Sequence, residues 1–238
     1  MTRSLLLDLG GTVLISGNEL LGTLGERDPR VRGVAARRGP LGSEPDQLWD
    51  RMIATEITER AYWQARSDEI GAALGREWSI REFMDTLFSQ LDDVVRPEAA
   101  ALVENARTAG IRVGALTNDL RAFHGGTGIA EHPLLARLDA LVDASVTGIF
   151  KPDPRAFAMG AEALGSAPGD IVFVDDMPWN IAGAAKAGMI PVEVDLRDPA
   201  AAFTRAAGLL GLPEHPAPTD ERDSRPYLTD ESPVRPRE

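Results

Sequence analysis

Residues 5–14 of the chain read LLLDLGGTVL, and this stretch decides how the fold is interpreted. An apolar run ends in a single aspartate, Asp8, and two glycines, Gly10 and Gly11, follow it closely. The pattern predicts a buried strand that carries one carboxylate at its carboxyl end. Asp8 alone leaves three interpretations open: a reactive group, a metal ligand, or a polar residue that only ends the strand.

Five short apolar runs have the composition of strands, and they are nearly continuous rather than alternating. Such runs are typical of strands in a parallel sheet, which are buried on both faces. The runs are residues 4–8, 111–116, 141–146, 170–175 and 190–194, and helical patterns occur at 97–110, 154–165 and 180–189. The alternation predicts an α/β fold with a Rossmann-like, doubly wound parallel sheet, whose ligands bind beyond the carboxyl ends of the strands.

Residues 15–95 interrupt this alternation, because they contain no convincing strand pattern. They predict helices instead, one from near Ser43 and one that opens with the capping box of Ser79 and Glu82. We interpret 15–95 as a small helical domain inserted after the first strand of a core formed by 1–14 and 96–212. Residues 213–238 are rich in proline and charge, which predicts a disordered tail.

The composition excludes several classes of site and partner. The 238 residues carry a formal net charge of −12 and no cysteine. An acidic chain lacks the basic face that nucleic acid requires, and a chain without cysteine has no disulfides, thiolate zinc sites or cysteine nucleophiles. The N-terminal apolar run is too short for a membrane span. We therefore expect a cytoplasmic protein without nucleic-acid or membrane partners.

Polar side chains cluster at the predicted strand ends, and together they suit phosphoryl chemistry. Because the carboxyl ends of parallel strands meet at one edge, three carboxylates, a hydroxyl, an amide and one ammonium should converge there. Adjacent carboxylates favour a hard cation such as Mg²⁺, and a carboxylate can also act as a nucleophile. The residues are Asp8, Thr117, Asn118, Lys151, Asp175 and Asp176.

Lys151 is informative because arginine is the usual cation of this chain, and lysine occurs only at 151 and 186. A lysine in such a sequence favours a site that needs a compact point charge. By contrast, the glycine-rich stretch 124–132 contains two histidines but is more typical of a surface loop than of a metal site.

Four motifs occur in the order DLGGTV, ALTN, FKPDP and FVDDMPWNIAGAAKAGM. Together they resemble the motifs of the haloacid dehalogenase-like (HAD) hydrolase superfamily, and 15–95 has the position of that family's helical cap. The resemblance implies a Rossmann-like core with a mobile cap. It also implies a Mg²⁺-dependent phosphatase that acts on a small phosphorylated, and therefore anionic, metabolite.

The resemblance further implies roles for individual residues. Asp8 would be the nucleophile that forms an aspartyl-phosphate, while Thr117 and Lys151 would hold the phosphoryl group. Asn118 would shape the site, and Asn180 has a position where the family often has a further aspartate. Mg²⁺ would be bound by Asp8, the carbonyl of Gly10 and Asp176, with Asp175 beside it.

The chain departs from the phosphatase pattern at residue 10. That pattern has an aspartate there, which acts as general acid and base, whereas this chain has Gly10. Loss of such a group typically costs roughly 10²–10⁴ in rate. Three functions stay open: a phosphatase that is slow or recruits a water or a cap residue, a non-phosphatase such as a dehalogenase, or a binding or regulatory protein. The pair Asp175 and Asp176 favours the phosphatase, because a dehalogenase works without metal.

Overall fold

The computed structural model describes residues 3–89, 93–124 and 128–213, and a five-stranded parallel sheet lies at its centre. The strand order is β3-β2-β1-β4-β5, and every neighbouring pair is parallel. This order confirms the doubly wound α/β fold, with β1 at the point where the strand order reverses. The strands are β1 (Ser4–Leu7), β2 (Val113–Thr117), β3 (Ala140–Asp143), β4 (Ile171–Asp175) and β5 (Ile190–Glu193).

Helices cover both faces of the sheet. In the described residues they are α1 (Gly17–Arg27), α2 (Arg32–Ala35), α3 (Gln47–Ile53), α4 (Glu59–Leu74), α5 (Ile80–Phe88), α6 (Pro97–Thr108), α7 (Leu120–His124), α8 (Ala144–Thr147), α9 (Pro154–Leu164), α10 (Pro178–Lys186) and α11 (Pro199–Leu210). No helix in the described ranges is long and apolar enough to cross a membrane.

The central strand contributes to two separate apolar cores, as its pleat requires. Leu5 and Leu7 pack into the larger core, which includes side chains of α6 and α11. Leu6 points to the opposite face and packs into a second core with side chains of α9 and α10, among them Phe157. Since all three leucines are fully buried, β1 is anchored from both sides and holds the loop that follows it in place.

Helices α1 to α5 lie between β1 and β2, where the sequence predicts a helical insert. The chain enters and leaves this region through two adjacent segments. The backbone N–H of Ile15 donates to the carbonyl of Val94 at 2.8 Å, and that of Arg96 donates to the carbonyl of Val13 at 2.8 Å. The entry and exit of the insert are therefore held side by side, although the division into two domains stays a prediction.

Two predicted boundaries are wrong for identifiable reasons. The strand predicted at 141–146 ends at Asp143, because the Asp143 carboxylate accepts hydrogen bonds from the N–H and hydroxyl of Ser145 and starts α8. The helix predicted from near Ser43 begins at Gln47, after Asp46 caps it. The capping box of Ser79 and Glu82 is confirmed. The predicted tail, apart from residue 213, lies outside the described residues.

The longest helix, α4, was not predicted, because its buried positions include polar residues. Arg66 is 1% exposed and forms an ion pair with the carboxylate of Asp46, which also accepts a hydrogen bond from Tyr62 at 3.3 Å. A buried arginine removes the regular apolar stripe by which a helix is recognised in sequence. The pair also fastens α3 to α4, which matters because the start of α4 reaches the site.

Candidate active site

The polar side chains that follow β1, β2 and β4 meet at one edge of the sheet, as the sequence predicts. They surround a small cavity of about 50 Å³, called the catalytic cavity below. Its lining combines strand-end residues with residues of the inserted helices. The lining residues are Asp8, Gly10, Glu59, Thr117, Asn118, Asp119, Phe123, His124, Lys151, Asp176, Met177 and Asn180.

Lys151 links the ends of β1 and β4 through two short ion pairs. Its Nζ donates to Oδ1 of Asp8 at 2.7 Å and to Oδ2 of Asp175 at 2.6 Å, and all three side chains are buried. Burial alone would lower the pKa of Lys151, but the charges of Asp175 and Asp8 outweigh it and raise the pKa. Lys151 is therefore a permanent cation at this site.

Asn118 fixes the loop that carries Lys151. Its side-chain Nδ2 donates to the backbone carbonyl of Lys151 at 3.2 Å, and its Oδ1 accepts from the backbone N–H of Lys151 at 2.8 Å. Since both ends of the amide are engaged, these contacts suit positioning of Lys151 rather than direct contact with substrate. Thr117 is buried at the end of β2 and lines the catalytic cavity.

The adjacent residues Asp175 and Asp176 have different surroundings. Asp175 is fully buried, and its carboxylate accepts hydrogen bonds from Lys151, from the N–H of Met177 at 2.8 Å and from Nδ2 of Asn180 at 3.0 and 3.1 Å. In contrast, Oδ1 of Asp176 is buried and has no hydrogen-bond partner among the described residues. Asp176 is therefore the carboxylate of this pair that is available to a ligand.

The donor set suits a divalent cation. Carboxylate oxygens of Asp8, Asp175 and Asp176 lie within 4.8 Å of one another. Burial raises the pKa of Asp8 to about 7, although Lys151 opposes this, and burial with the charges of Asp175 and Asp8 raises the pKa of Asp176 well above its usual value. Crowded carboxylates with an unpaired buried oxygen are the hard ligands that Mg²⁺ prefers. The residues present therefore fit this metal.

The two glycines after Asp8 differ in backbone conformation and in the space around them. Gly11 has φ +72°, and a Cβ there would lie 2.2 Å from Oδ2 of Asp176, so a side chain would displace that carboxylate. Gly10 has φ −66° and ψ 128°, which any residue adopts, and a Cβ there would meet nothing within 4 Å. The fold thus requires glycine at 11 but has open space for a side chain at 10.

Arg96 supports this glycine loop from behind. Its Nη2 donates to the carbonyl of Gly11 at 3.3 Å, and its guanidinium forms a two-pronged ion pair with Glu19, with Nη1 2.9 Å from Oε1. Glu19 in turn completes the capping box of α1 with Ser16. The start of the inserted helices and the loop after Asp8 are therefore one connected polar network.

Two acidic residues that line the catalytic cavity, Glu59 and Asp119, were missed by the sequence analysis. Glu59 is the first residue of α4, and burial, with the charges of Asp8, Asp119 and Asp175, raises its pKa to about 7. The helix-capping pattern of Thr58 could have signalled this position. Asp119 follows Asn118 directly and forms an ion pair with Arg60 of α4, so it ties the insert to the core.

His124 was predicted to lie in a surface loop, and this was wrong. Its imidazole is buried and packs edge-on against Phe88, with ring centroids 4.4 Å apart. Burial lowers the pKa of His124 to about 4, so the ring is neutral near pH 7. Residues 125–127 of the same stretch lie outside the described residues.

This arrangement has the parts for attack by a carboxylate on an anionic group. Asp8 lines the cavity, Lys151 supplies a fixed positive charge, and Thr117, which carries a hydroxyl group, lines the same space. Asp176 and the backbone of Gly10 border the region where a cation would be held. Such chemistry needs charge neutralisation and positioning more than it needs a large binding surface.

Comparison with known proteins gives the family. A model of the haloacid dehalogenase-like hydrolases matches residues 2–188. A phosphoserine phosphatase of Thermus thermophilus is 34% identical over 171 residues, 69% of this chain and 64% of that protein. The (S)-2-haloacid dehalogenase 4A of Burkholderia cepacia is 27% identical over 156 residues, 62% of this chain and 64% of that protein.

A solved structure supports the same fold. The L-2-haloacid dehalogenase from Xanthobacter autotrophicus aligns with a TM-score of 0.53 at 20% identity, over 82% of this chain and 78% of that one. The chain spans less than two thirds of the length of the curated relatives it matches. Because the family model covers most of the chain, and because the sheet has the predicted strand-end residues around one cavity, the chain belongs to the haloacid dehalogenase-like hydrolases.

Proposed function

We propose that this hydrolase is a Mg²⁺-dependent phosphatase of a small phosphorylated metabolite. The observation that carries the proposal is the unpaired, buried Oδ1 of Asp176 beside Asp8 and Asp175. Without a cation this oxygen would remain desolvated and unsatisfied, which costs free energy. A reaction that needs no metal gives no reason for that arrangement.

In the proposed reaction, an oxygen of Asp8 attacks the phosphorus atom, and the bond to the leaving-group oxygen breaks. The product is an aspartyl-phosphate, which water then hydrolyses to return Asp8 to its carboxylate form. Lys151 holds phosphoryl oxygens and keeps Asp8 oriented, Thr117 donates a hydrogen bond, and Asn118 positions Lys151. When bound by Asp8, Asp176 and the carbonyl of Gly10, Mg²⁺ would supply further charge neutralisation.

The proton for the leaving group needs a source, since Gly10 has no side chain. Glu59 is the residue that we propose for this step, because it lines the same cavity from the facing helix α4. Its carboxylate makes no hydrogen bond or ion pair with any residue in the described ranges, so this group is available to a ligand. A positioned carboxylic acid of this kind can protonate a leaving alcohol and then accept a proton from water.

The test is phosphate release from a panel of phosphomonoesters and acyl phosphates, with and without Mg²⁺. We expect Mg²⁺-dependent release that Asp8→Asn abolishes. Asp170→Asn is the matched control, because it makes the same chemical change at the opposite, amino end of β4. Failure to release phosphate from any compound, acyl phosphates included, would overturn the proposal.

Dehalogenation is the second candidate, because Gly10 removes the acid that a phosphatase uses and because a curated relative is named a 2-haloacid dehalogenase. Mg²⁺-independent halide release from 2-chloropropionate would favour it. A third possibility, a binding or regulatory protein with little turnover, predicts Mg²⁺ and anion binding without product from either panel.

A further inference from the structure

A second cavity, of about 510 Å³, opens beside the catalytic cavity and shares four lining residues with it: Glu59, Asn118, Asp119 and Lys151. We propose that this side cavity binds the leaving group of the substrate, and that the substrate is a phosphomonoester with a bulky hydrocarbon or aromatic leaving group. The inference rests on the proposed phosphatase function. It adds the chemical class of the substrate, which the sequence motifs leave open.

The first argument is that four polar side chains at the side cavity already have partners, and Glu59, which has none in the described part of the chain, is assigned to the leaving-group oxygen. Arg60 forms an ion pair with Asp119, and the side-chain amide of Asn118 is engaged with the backbone of Lys151. The hydroxyl of Thr58 caps α4. A sugar or polyol would need free donors and acceptors here to replace its hydration, and hydroxyl groups buried without partners are costly.

The second argument is that the remaining lining is apolar and comes from three separate segments. Met52 and Ile57 belong to the insert, Phe150 and Pro152 flank Lys151, and Trp179 lies at the start of α10. Phe150 is 43% exposed although its neighbour Lys151 is buried. A ring placed among these side chains would cover apolar surface that water now contacts.

The third argument is the connection between the two cavities. One short loop presents the Lys151 ammonium to the catalytic cavity and Phe150 with Pro152 to the side cavity. Lys151 lines both cavities, so a phosphate held by Lys151 in the catalytic cavity lies next to the side cavity. The volume of the side cavity is within the usual range of about 300–1,000 Å³ for ligand pockets. The volume suits a cyclic or branched leaving group better than a short chain such as that of serine.

The experiment compares cyclohexylmethyl phosphate with glucose 6-phosphate. Both are primary alkyl esters on a six-membered ring, so they differ mainly in ring polarity rather than in leaving-group basicity. We expect kcat/KM to be at least about tenfold higher for the cyclohexyl ester, from the burial of its hydrocarbon ring. Binding of the two corresponding phosphonates in Mg²⁺, measured by calorimetry, should show the same preference without any turnover.

Two variants test whether the side cavity is the source of the preference for the cyclohexyl ester. Phe150→Ala should reduce the ratio of the two kcat/KM values. Val146→Ala shortens another exposed apolar side chain, which lies outside both cavities, and should leave the ratio unchanged. Circular dichroism and melting temperature check that each variant is folded. Tighter binding of the cyclohexyl phosphonate would support the side cavity even if neither ester is hydrolysed, whereas the phosphatase is refuted only if acyl phosphates also release no phosphate. A glucose preference, equal affinities, or no binding of either phosphonate would overturn the side-cavity proposal.

Discussion

Substituting aspartate for Gly10 should strongly increase the proposed phosphatase activity. The catalytic cavity already contains the proposed nucleophile, a fixed cation and a metal-suited carboxylate set, so proton transfer to the leaving group is the step that depends on Glu59 alone while position 10 is glycine. Restoring a positioned acid and base is expected to raise kcat by roughly 10²–10⁴. The outcome tests whether residue 10 alone limits an otherwise complete site.

The structure indicates that Gly10→Asp is sterically tolerated. The backbone at Gly10, with φ −66° and ψ 128°, suits any residue, and a Cβ there has no neighbour within 4 Å. Gly11→Ala is the contrasting variant, because its Cβ would collide with Asp176 at a φ of +72°. We therefore expect gain of activity at position 10 and loss of activity and of Mg²⁺ binding at position 11.

The assay is steady-state phosphate release from esters whose leaving groups differ in basicity. Protonation by an acid speeds the departure of a basic alkoxide much more than that of a weakly basic carboxylate. The increase in kcat of Gly10→Asp should therefore be large for alkyl phosphates and small for acetyl phosphate. Gly10→Asn is the control of similar size that transfers no proton. An unchanged rate in a folded Gly10→Asp protein that still binds Mg²⁺ would refute the reasoning, and so would an equal gain in Gly10→Asn.

Three further predictions concern the charged groups. Thermal stabilisation by Mg²⁺, measured by scanning fluorimetry, should increase as pH rises from about 5 to 8. Asp8, whose pKa is raised to about 7, and Asp176 must lose protons to bind the metal. Asp176→Asn should abolish this increase with pH. Lys151→Met should destabilise the fold by about 3–5 kcal/mol near pH 8 in urea titrations, since it leaves Asp8 and Asp175 without their cation, and by less near pH 5, below the raised pKa of Asp8 of about 7, where this carboxyl takes up a proton. Glu59→Gln should lower kcat for alkyl phosphates by about tenfold or more but hardly affect acetyl phosphate, and its effect should shrink when Gly10→Asp is also present.

The sequence predicts the sheet and the strand-end residues well, for a physical reason. Strands buried on both faces read as continuous apolar runs, and a parallel sheet brings residues such as Asp8 and Lys151 to one edge whatever the details of the helices. The helix α4 was missed because Arg66 is buried within it. Glu59 was missed together with α4, because its place in the cavity depends on tertiary packing rather than on any local pattern.

A second limit of prediction from the sequence is that adjacent residues of the same type can have different surroundings in the structure. The residue pattern alone presents Asp175 and Asp176 as one acidic pair, and only the family resemblance separates their roles. In the structure the first is saturated by hydrogen bonds and the second has an unpaired oxygen. The same holds for Gly10 and Gly11, of which only the second has a left-handed φ. Such differences depend on which way one side chain points at a strand end, and pattern analysis does not resolve that.

The charge balance of the site gives a reason for glycine at position 10. Lys151 offsets one of the three carboxylates of Asp8, Asp175 and Asp176, so a divalent cation would neutralise the remaining two. An aspartate at position 10 would add a negative charge near the incoming phosphate dianion, and two charges about 5 Å apart repel by about 3 kcal/mol at an effective dielectric of about 20. Gly10→Asp should therefore raise KM for dianionic esters even as kcat rises, and more so at low ionic strength. If KM fell instead, charge repulsion would not explain why residue 10 is glycine. The open space beside Gly10 would then have to be occupied by part of the substrate.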